Sequence, residues 1–365
     1  MLLPDEAILL ENASTTRTSR DRMRTMMMQA WTLVEHGSPR QGFELREHPR
    51  PVPGDHEVLI RVEGFGLNYA DVMAVKGLYR EAPPLPSILG YEVVGVIEAI
   101  GRSVPDGLLG MRVVGMTRFG GYAEYAVTDH RACAVIPTDM SLGAAAALAT
   151  QGCTAWYAAR ILCPVYTGER VLVHSAAGGV GHLLVQLLVH RGCEVFAVAS
   201  GKEKSAYLKS LGVHHVVDRR QGNVVGRLRD ALGGRRLDVS FNAVGGATFK
   251  EDMGLLGSGG RAVLFGGAER GGMGSLGTLR FVWRMGLIIP IMLMMRSRSI
   301  LGINMLRISE DRPEVIAECL QRMVEECALG RIRPHVHQEF PSRSLVDAHL
   351  ALANGATMGK VMMRW

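Results

Sequence analysis

From Gln29 to about Thr128 apolar and polar positions alternate in short runs. Val58 to Val62 (VLIRV) and Val93 to Ile100 (VVGVIEAI) read as half-buried strands. Pro51, Pro53, Pro83, Pro84 and Pro86 punctuate the connections, and the stretch predicts a compact, mainly β unit. Near Ser141 the pattern changes. Ser141 stands where a helix N-cap belongs, ahead of an Ala-rich helix from Gly143 to Leu148. Apolar runs at 170–174, 194–199, 215–217, 237–242 and 262–265 then read as strands, with an apolar helix over 183–189. Strands alternating with helical spacing predict a parallel, doubly wound sheet. A helix over 313–329, with Pro313 near its first position, and strand-like pieces at 336–340 and 360–363 close the chain.

With 365 residues, 47% of them apolar, the chain suits two globular domains. Its net charge of +6 rests mostly on Arg. No RNP, zinc-finger or helix-turn-helix signature accompanies it, so the charge points to an anionic cofactor rather than nucleic acid. The six cysteines form no C-x-x-C pair and no metal-ligand rhythm. They suit buried positions in a reducing cytoplasm.

Residues 1–27 are polar and rich in Ser, Thr and Arg, and read as a disordered tail. Asp5, Glu6 and Glu11 argue against a transit peptide, and no apolar core follows a basic start as in a signal peptide. Leu287 to Met295 (LIIPIMLMM) is apolar, flanked by Arg280, Arg284, Arg296 and Arg298, and contains Pro290. The run is too short to span a bilayer. Burial in the fold or between subunits is the ordinary expectation for 280–298, with peripheral membrane contact as its rival.

Ala176-Ala177-Gly178-Gly179-Val180-Gly181 directly follows the 170–174 strand and precedes an apolar helix. It is the dinucleotide fingerprint with Ala in place of the first glycine. Gly178 lets the backbone approach a pyrophosphate, Gly181 permits close helix–strand packing, and the helix N-terminus meets the negative charge. An NAD site would place Asp or Glu at the end of the next strand, where this chain has Ala199-Ser200-Gly201. Lys202 and Lys204 follow, and Arg219 comes after the third strand. A missing acid together with nearby cations predicts NADP(H).

These features accompany further blocks in a fixed order: Gly66-Leu67-Asn68-Tyr69-Ala70-Asp71, Lys76-Gly77-Leu78-Tyr79, Leu89-Gly90-Tyr91-Glu92, Gly120-Gly121-Tyr122-Ala123-Glu124-Tyr125 and Gly359-Lys360-Val361. With them the sequence resembles the medium-chain dehydrogenase/reductase superfamily from about Gln29 to Trp365. Within it the chain is similar to quinone oxidoreductases, and Pro83-Pro84-Leu85-Pro86 and the Arg-flanked run before Gly302-Ile303-Asn304 resemble the subgroup of the synaptic-vesicle amine-transport protein.

The resemblance implies a GroES-like catalytic domain from residues 28–153 and 300–365 around a Rossmann domain at 154–299. The cofactor would lie between them, and relatives imply a homodimer. Zinc members carry Cys at Asn68 and His at Tyr91, and the four-cysteine structural lobe is missing, so no metal is expected. Residue by residue, the fingerprint's Ala177, Gly178, Gly179, Val180 and Gly181 and the following Ser200 would line the cofactor. Asn68 would face the nicotinamide ribose or the reacting carbonyl. Lys204 matches a lysine on the 2′-phosphate, and Arg219 stands where relatives often have Tyr. Gly266 and Gly267 would lie near the nicotinamide, Asn304 would touch the cofactor, and Lys360 would reach its phosphates or stay on the surface. Tyr79 matches a quinone-pocket tyrosine, whereas a second family tyrosine is Met73 here.

Hydride transfer without metal depends on stacking the acceptor against the nicotinamide. A quinone or enone spreads the developing charge, and Asn68, Tyr69 or a backbone amide would stabilise the oxyanion while Tyr79 or water returns a proton. Two rivals stay open: an enoyl-thioester reductase, since Gly77-Leu78-Tyr79 also occurs in such domains, and a non-catalytic NADP-binding protein associated with lipid.

Overall fold

The structure is a computed structural model and describes residues 26–270 and 274–365. The tail expected over 1–27 lies outside the described residues except at its end, where Met27 already opens the strand Met27–Leu33.

Six parallel strands form the nucleotide sheet, in the spatial order His215–Asp218, Glu194–Ala199, Arg170–Val173, Leu237–Asn242, Leu256–Leu264 and Ser299–Gly302. The order reverses between the first strand in the chain, Arg170–Val173, and the fourth, Leu237–Asn242. That reversal opens a crevice at the carboxyl ends of the strands. Both faces are covered. Val171 and Val173 pack into one apolar layer and Leu172 into the other, as the two-residue period of a strand dictates. The sixth strand was not legible: it is the four-residue edge piece SILG, and it carries the sheet through Gly302. Ile300 to Gly302 are paired with strand Leu256–Leu264 and so belong to the parallel sheet.

The second sheet is mainly antiparallel. Glu57–Leu67, Glu92–Ile100, Arg112–Met116 and Cys133–Val135 follow one another, and Tyr125–Asp129 pairs with the first of them. The chain's last strand, Lys360–Arg364, joins it by pairing Val361 with Leu67, and Val336–Pro341 adds beside that strand. Both chain ends thus build one domain.

Ser141 caps the helix Leu142–Ala147 by accepting from the Ala144 N–H at 3.2 Å. The chain then runs on to Leu162 through two wide, π-type turns, Leu148–Gly152, which is kinked at the non-helical Ala149 (ψ −110°), and Tyr157–Leu162. Such turns re-aim side chains and occur often at functional sites. The first one carries Thr150 and Gln151 to the mouth of the crevice.

Candidate active site

The crevice between the two sheets is a cleft of about 1700 Å³. That exceeds the ~300–1,000 Å³ of an ordinary small-molecule pocket and leaves room for a dinucleotide together with an acceptor. The cleft is lined by Asn68, Tyr69, Tyr79, the fingerprint residues Ala177 to Gly181, Ser200, Lys204, Arg219, Gly266, Gly267 and Asn304. The fold brings all of these together. Lys360 alone among the expected residues is elsewhere.

The fingerprint turn is built for close backbone approach. Its left-handed step falls on Ser175 (φ 51°), so Ala176 keeps an ordinary φ and alanine is tolerated where the first glycine would stand. The Gly178 N–H closes the turn on the Ser175 carbonyl at 2.8 Å. A Cβ at Gly181 would collide with that same carbonyl oxygen. Helix Gly179–His190 begins there with its free N–H groups toward the cleft. His182 clips the turn in place: its Nδ1 lies 2.9 Å from the Gly178 carbonyl, and its Nε2 accepts from the His335 N–H at 3.1 Å. Burial pushes its pKa down to about 4, so it stays neutral and structural.

At the end of strand Glu194–Ala199, Lys204 sits beside Arg219 and Arg220, and burial and these two cations lower its pKa. Its Nζ donates to the Gly355 carbonyl at 2.7 Å. Cations held against mutual repulsion fit a dianionic phosphate. Asp218, which ends the neighbouring strand His215–Asp218, accepts from the Gly201 N–H at 2.9 Å and the Arg220 N–H at 3.0 Å, so its charge is spent on the turn. The glycine cradle and the cation pair together fit a 2′-phosphorylated dinucleotide.

Two expectations are corrected. Lys360 neither reaches phosphate nor lies on the surface; it is fully buried in an ion pair with Glu92. Its Nζ also approaches the Leu67 carbonyl (3.2 Å) and Asn68 Oδ1 (3.4 Å), which leaves nothing to extend into the cleft. Asn68 lines the cleft but does not offer its amide to a reacting carbonyl: Nδ2 donates to both Glu92 oxygens, at 2.8 and 2.9 Å. Oδ1 accepts from Gln151 Nε2 at 3.1 Å. This polar cluster occupies the ground where zinc relatives would hold metal. Among the described residues no three His, Cys, Asp or Glu side chains are placed to bind an ion.

Asn304 spends Oδ1 capping helix Met305–Asp311, where it accepts from the Leu306 and Arg307 N–H groups. Tyr69 and Tyr79 are both pushed above the usual phenol range by burial, so they remain protonated donors. The Tyr79 ring meets Tyr91 edge-on at 6.1 Å, and Met73 lies in the same apolar wall.

Sequence reasoning missed Gln151, Thr154 and His174. Gln151 arrives through a π-type turn that no 3.6-residue period announces, and Thr154 follows it on the short helix Cys153–Trp156. His174 directly follows strand Arg170–Val173 and also lines the cleft. Its Nε2 meets Asp252 at 2.8 Å, and Asp252 also accepts from Ser240 (2.6 Å) and Asn242 (2.7 Å). This buried network braces the strand ends beneath the cleft.

The apolar segment is exposed in the single chain. Trp283 is 81% and Leu287 88% accessible. Two of its flanking arginines are engaged by the fold, Arg284 with Glu269 at 2.7 Å and Arg298 with the Leu256 carbonyl at 2.6 Å. No helix among the described residues is long and apolar enough to cross a membrane.

Residues 54–138 match the alcohol dehydrogenase GroES-like domain family and residues 179–321 the zinc-binding dehydrogenase family. The chain is 29% identical to human quinone oxidoreductase over 340 residues, covering 92% of this chain and 98% of that protein. It is 30% identical to the human synaptic vesicle membrane protein VAT-1 homolog over 331 residues, covering 90% and 84%. Escherichia coli quinone oxidoreductase complexed with NADPH superposes with a TM-score of 0.81 at 25% identity, covering 92% of this chain and all of that one.

Proposed function

The chain belongs to the medium-chain dehydrogenase/reductase superfamily, quinone oxidoreductase type, and from that premise we propose an NADPH-dependent, metal-independent reductase that delivers hydride to a quinone or another conjugated carbonyl. The observation that carries the reading is one continuous cleft. It joins a phosphate cradle at Gly178 to Gly181, a cation pair at Lys204 and Arg219, and an apolar wall bearing two protonated phenols.

NADPH would supply the hydride. The chain's own contribution is placement and charge. Ala177 to Gly181 line the cradle, where the helix that begins at Gly179 presents its first N–H groups to the pyrophosphate. Lys204 and Arg219, beside Ser200, pair with the 2′-phosphate. Gly266, Gly267 and Asn304 shape the far wall around the nicotinamide. Met73, Tyr79 and Tyr91 form an apolar surface that stacks a flat acceptor and excludes water. Tyr69 or Tyr79 donates a hydrogen bond to the acceptor oxygen as negative charge develops, and water supplies the proton that completes the reduction. No side chain must ionise, so removing either phenol should lower the rate in degrees. The six cysteines are free, in keeping with a reducing cytoplasm.

For the exposed segment we favour a second copy of this chain over lipid. Strand Ser299–Gly302 ends the six-stranded sheet with an open edge beside the apolar face, and such an edge is a template for pairing. Two engaged arginines leave less free charge for anionic lipid.

The acceptor class is settled by comparing kcat/KM for 1,4-quinones, small enones and enoyl-thioesters with NADPH saturating. A preference for quinones or enones supports the reading. A preference for enoyl-thioesters moves the protein to acyl-chain reduction.

A further inference from the structure

The polar cluster beneath the cleft has a direction, and it ends on one atom. Lys360 carries donors only, and Glu92, as a carboxylate, accepts only. Paired together without solvent, they oblige Asn68 to turn its amide nitrogen to Glu92 and its oxygen toward Lys360 and Gln151. Gln151 must then offer Nε2 to Asn68, which it does at 3.1 Å. Its oxygen is left pointing out of the cluster. That Oε1 is buried with no hydrogen-bond partner, on a side chain that lines the cleft in a residue only 6% exposed. Buried acceptors of this kind are nearly always satisfied in a working structure.

Position narrows the partner. The Gln151 carboxamide lies against Gly179, where a Cβ would come 2.6 Å from Oε1, so glycine is needed for the side chain to pass the fingerprint helix. An acceptor there repels phosphate oxygens and calls for an O–H or N–H group. The neighbouring Thr150 donates to the Tyr91 carbonyl at 3.3 Å, and Asn68 is on the other side, so Gln151 sits at the reacting end, opposite the Lys204 cations.

We propose that Gln151 is a further cofactor-binding residue, whose Oε1 accepts a hydrogen bond from a ribose hydroxyl on the nicotinamide half, with Lys360, Glu92 and Asn68 acting as the positioning residues that hold it turned that way. The proposal rests on the NADPH reading above and adds to it a contact at the reacting end.

The test is equilibrium binding to the full chain. Kd is measured for NADPH and for adenosine 2′,5′-bisphosphate, which lacks the nicotinamide half, with wild type and Gln151→Met. The expected result is a roughly 3- to 10-fold weaker Kd for NADPH in the variant and an unchanged Kd for the bisphosphate. Unchanged NADPH affinity overturns the proposal, as does equal weakening of both ligands, which marks a merely structural role. A second arm needs no variant: wild type should bind NADPH analogues lacking one nicotinamide-ribose hydroxyl more weakly by the same factor for one of the two positions. No loss with either analogue overturns the proposal, and so does a loss seen only when the carboxamide is replaced by acetyl. Wild type that binds the bisphosphate but not NADPH defeats this inference while leaving the cation site standing. Wild type that binds neither defeats the NADPH reading itself.

Discussion

Lys360 and Glu92 stand 268 positions apart in the chain and meet as an ion pair with neither side chain exposed. They tie the last strand to Glu92–Ile100 across the intervening strand Glu57–Leu67, where Gly66 leaves the room: a Cβ there would fall 2.6 Å from Lys360 Nζ. Breaking one side of such a pair strands a charge. Lys360→Met should cost ~3–5 kcal/mol, read from urea unfolding, and adding Glu92→Gln should recover a good part of it. A single variant as stable as wild type would show that the pair carries no weight.

Lys204 and Arg219 should set cofactor choice. Removing both by Lys204→Ala and Arg219→Ala should weaken NADPH by about 10- to 100-fold and leave NADH nearly unchanged. The ratio of the two dissociation constants checks this directly; a parallel loss for both cofactors would mean that the cations do not see the 2′-phosphate.

Gly181 should tolerate no side chain. Gly181→Ala drives a methyl group into the Ser175 carbonyl at the fingerprint turn. The strain should cost ~1–3 kcal/mol and weaken NADPH together with adenosine 2′,5′-bisphosphate, because the turn itself moves. Calorimetric melting and titration of both ligands measure the two effects.

His182 predicts an acid-sensitive clip. Its folded pKa is lowered to about 4 by burial, whereas an unfolded histidine titrates near ~6.5. The unfolded chain therefore binds a proton there first as pH falls, so the stability His182 contributes is whole above about pH 6.5 and drains away toward pH 4. Relative to His182→Gln, which has nothing to titrate, the wild-type advantage should shrink by ~2 kcal/mol between pH 7.5 and pH 5. A difference that stays flat with pH would place the proton equilibrium elsewhere.

Tyr69 and Tyr79 should each be worth a graded amount. Tyr79→Phe removes one neutral donor from the acceptor pocket and should lower kcat/KM about 3- to 10-fold with Kd for NADPH unchanged. Complete loss of turnover would require a catalytic acid that the site as described does not contain.

The parallel sheet was readable because its strands are continuous apolar runs between glycine turns, and four of its six strands fall within a residue of the runs that announce them. The edge strand Ser299–Gly302 was not, since four residues behind an apolar, Arg-flanked run have no period of their own. The cofactor wall was legible where chemistry is local, as in the glycine turn and the missing acid after Ala199. It was not legible where the role depends on who faces whom. Lys360 reads from the sequence as a phosphate ligand but is fully buried against Glu92, and the same carboxylate holds the Asn68 amide nitrogen. Gln151 was invisible because a wide helical turn, unmarked by composition, brings it to the cleft.

The central claim is hydride transfer from NADPH to a conjugated carbonyl by this chain without added metal. The direct measurement is the rate of NADPH consumption by purified protein treated with a chelator and given a 1,4-quinone, with NADH run in parallel. The account predicts saturable turnover that survives the chelator and prefers NADPH to NADH by at least about tenfold in kcat/KM, in line with one charge-assisted contact or more. Tight NADPH binding with no turnover of any quinone or enone would contradict it.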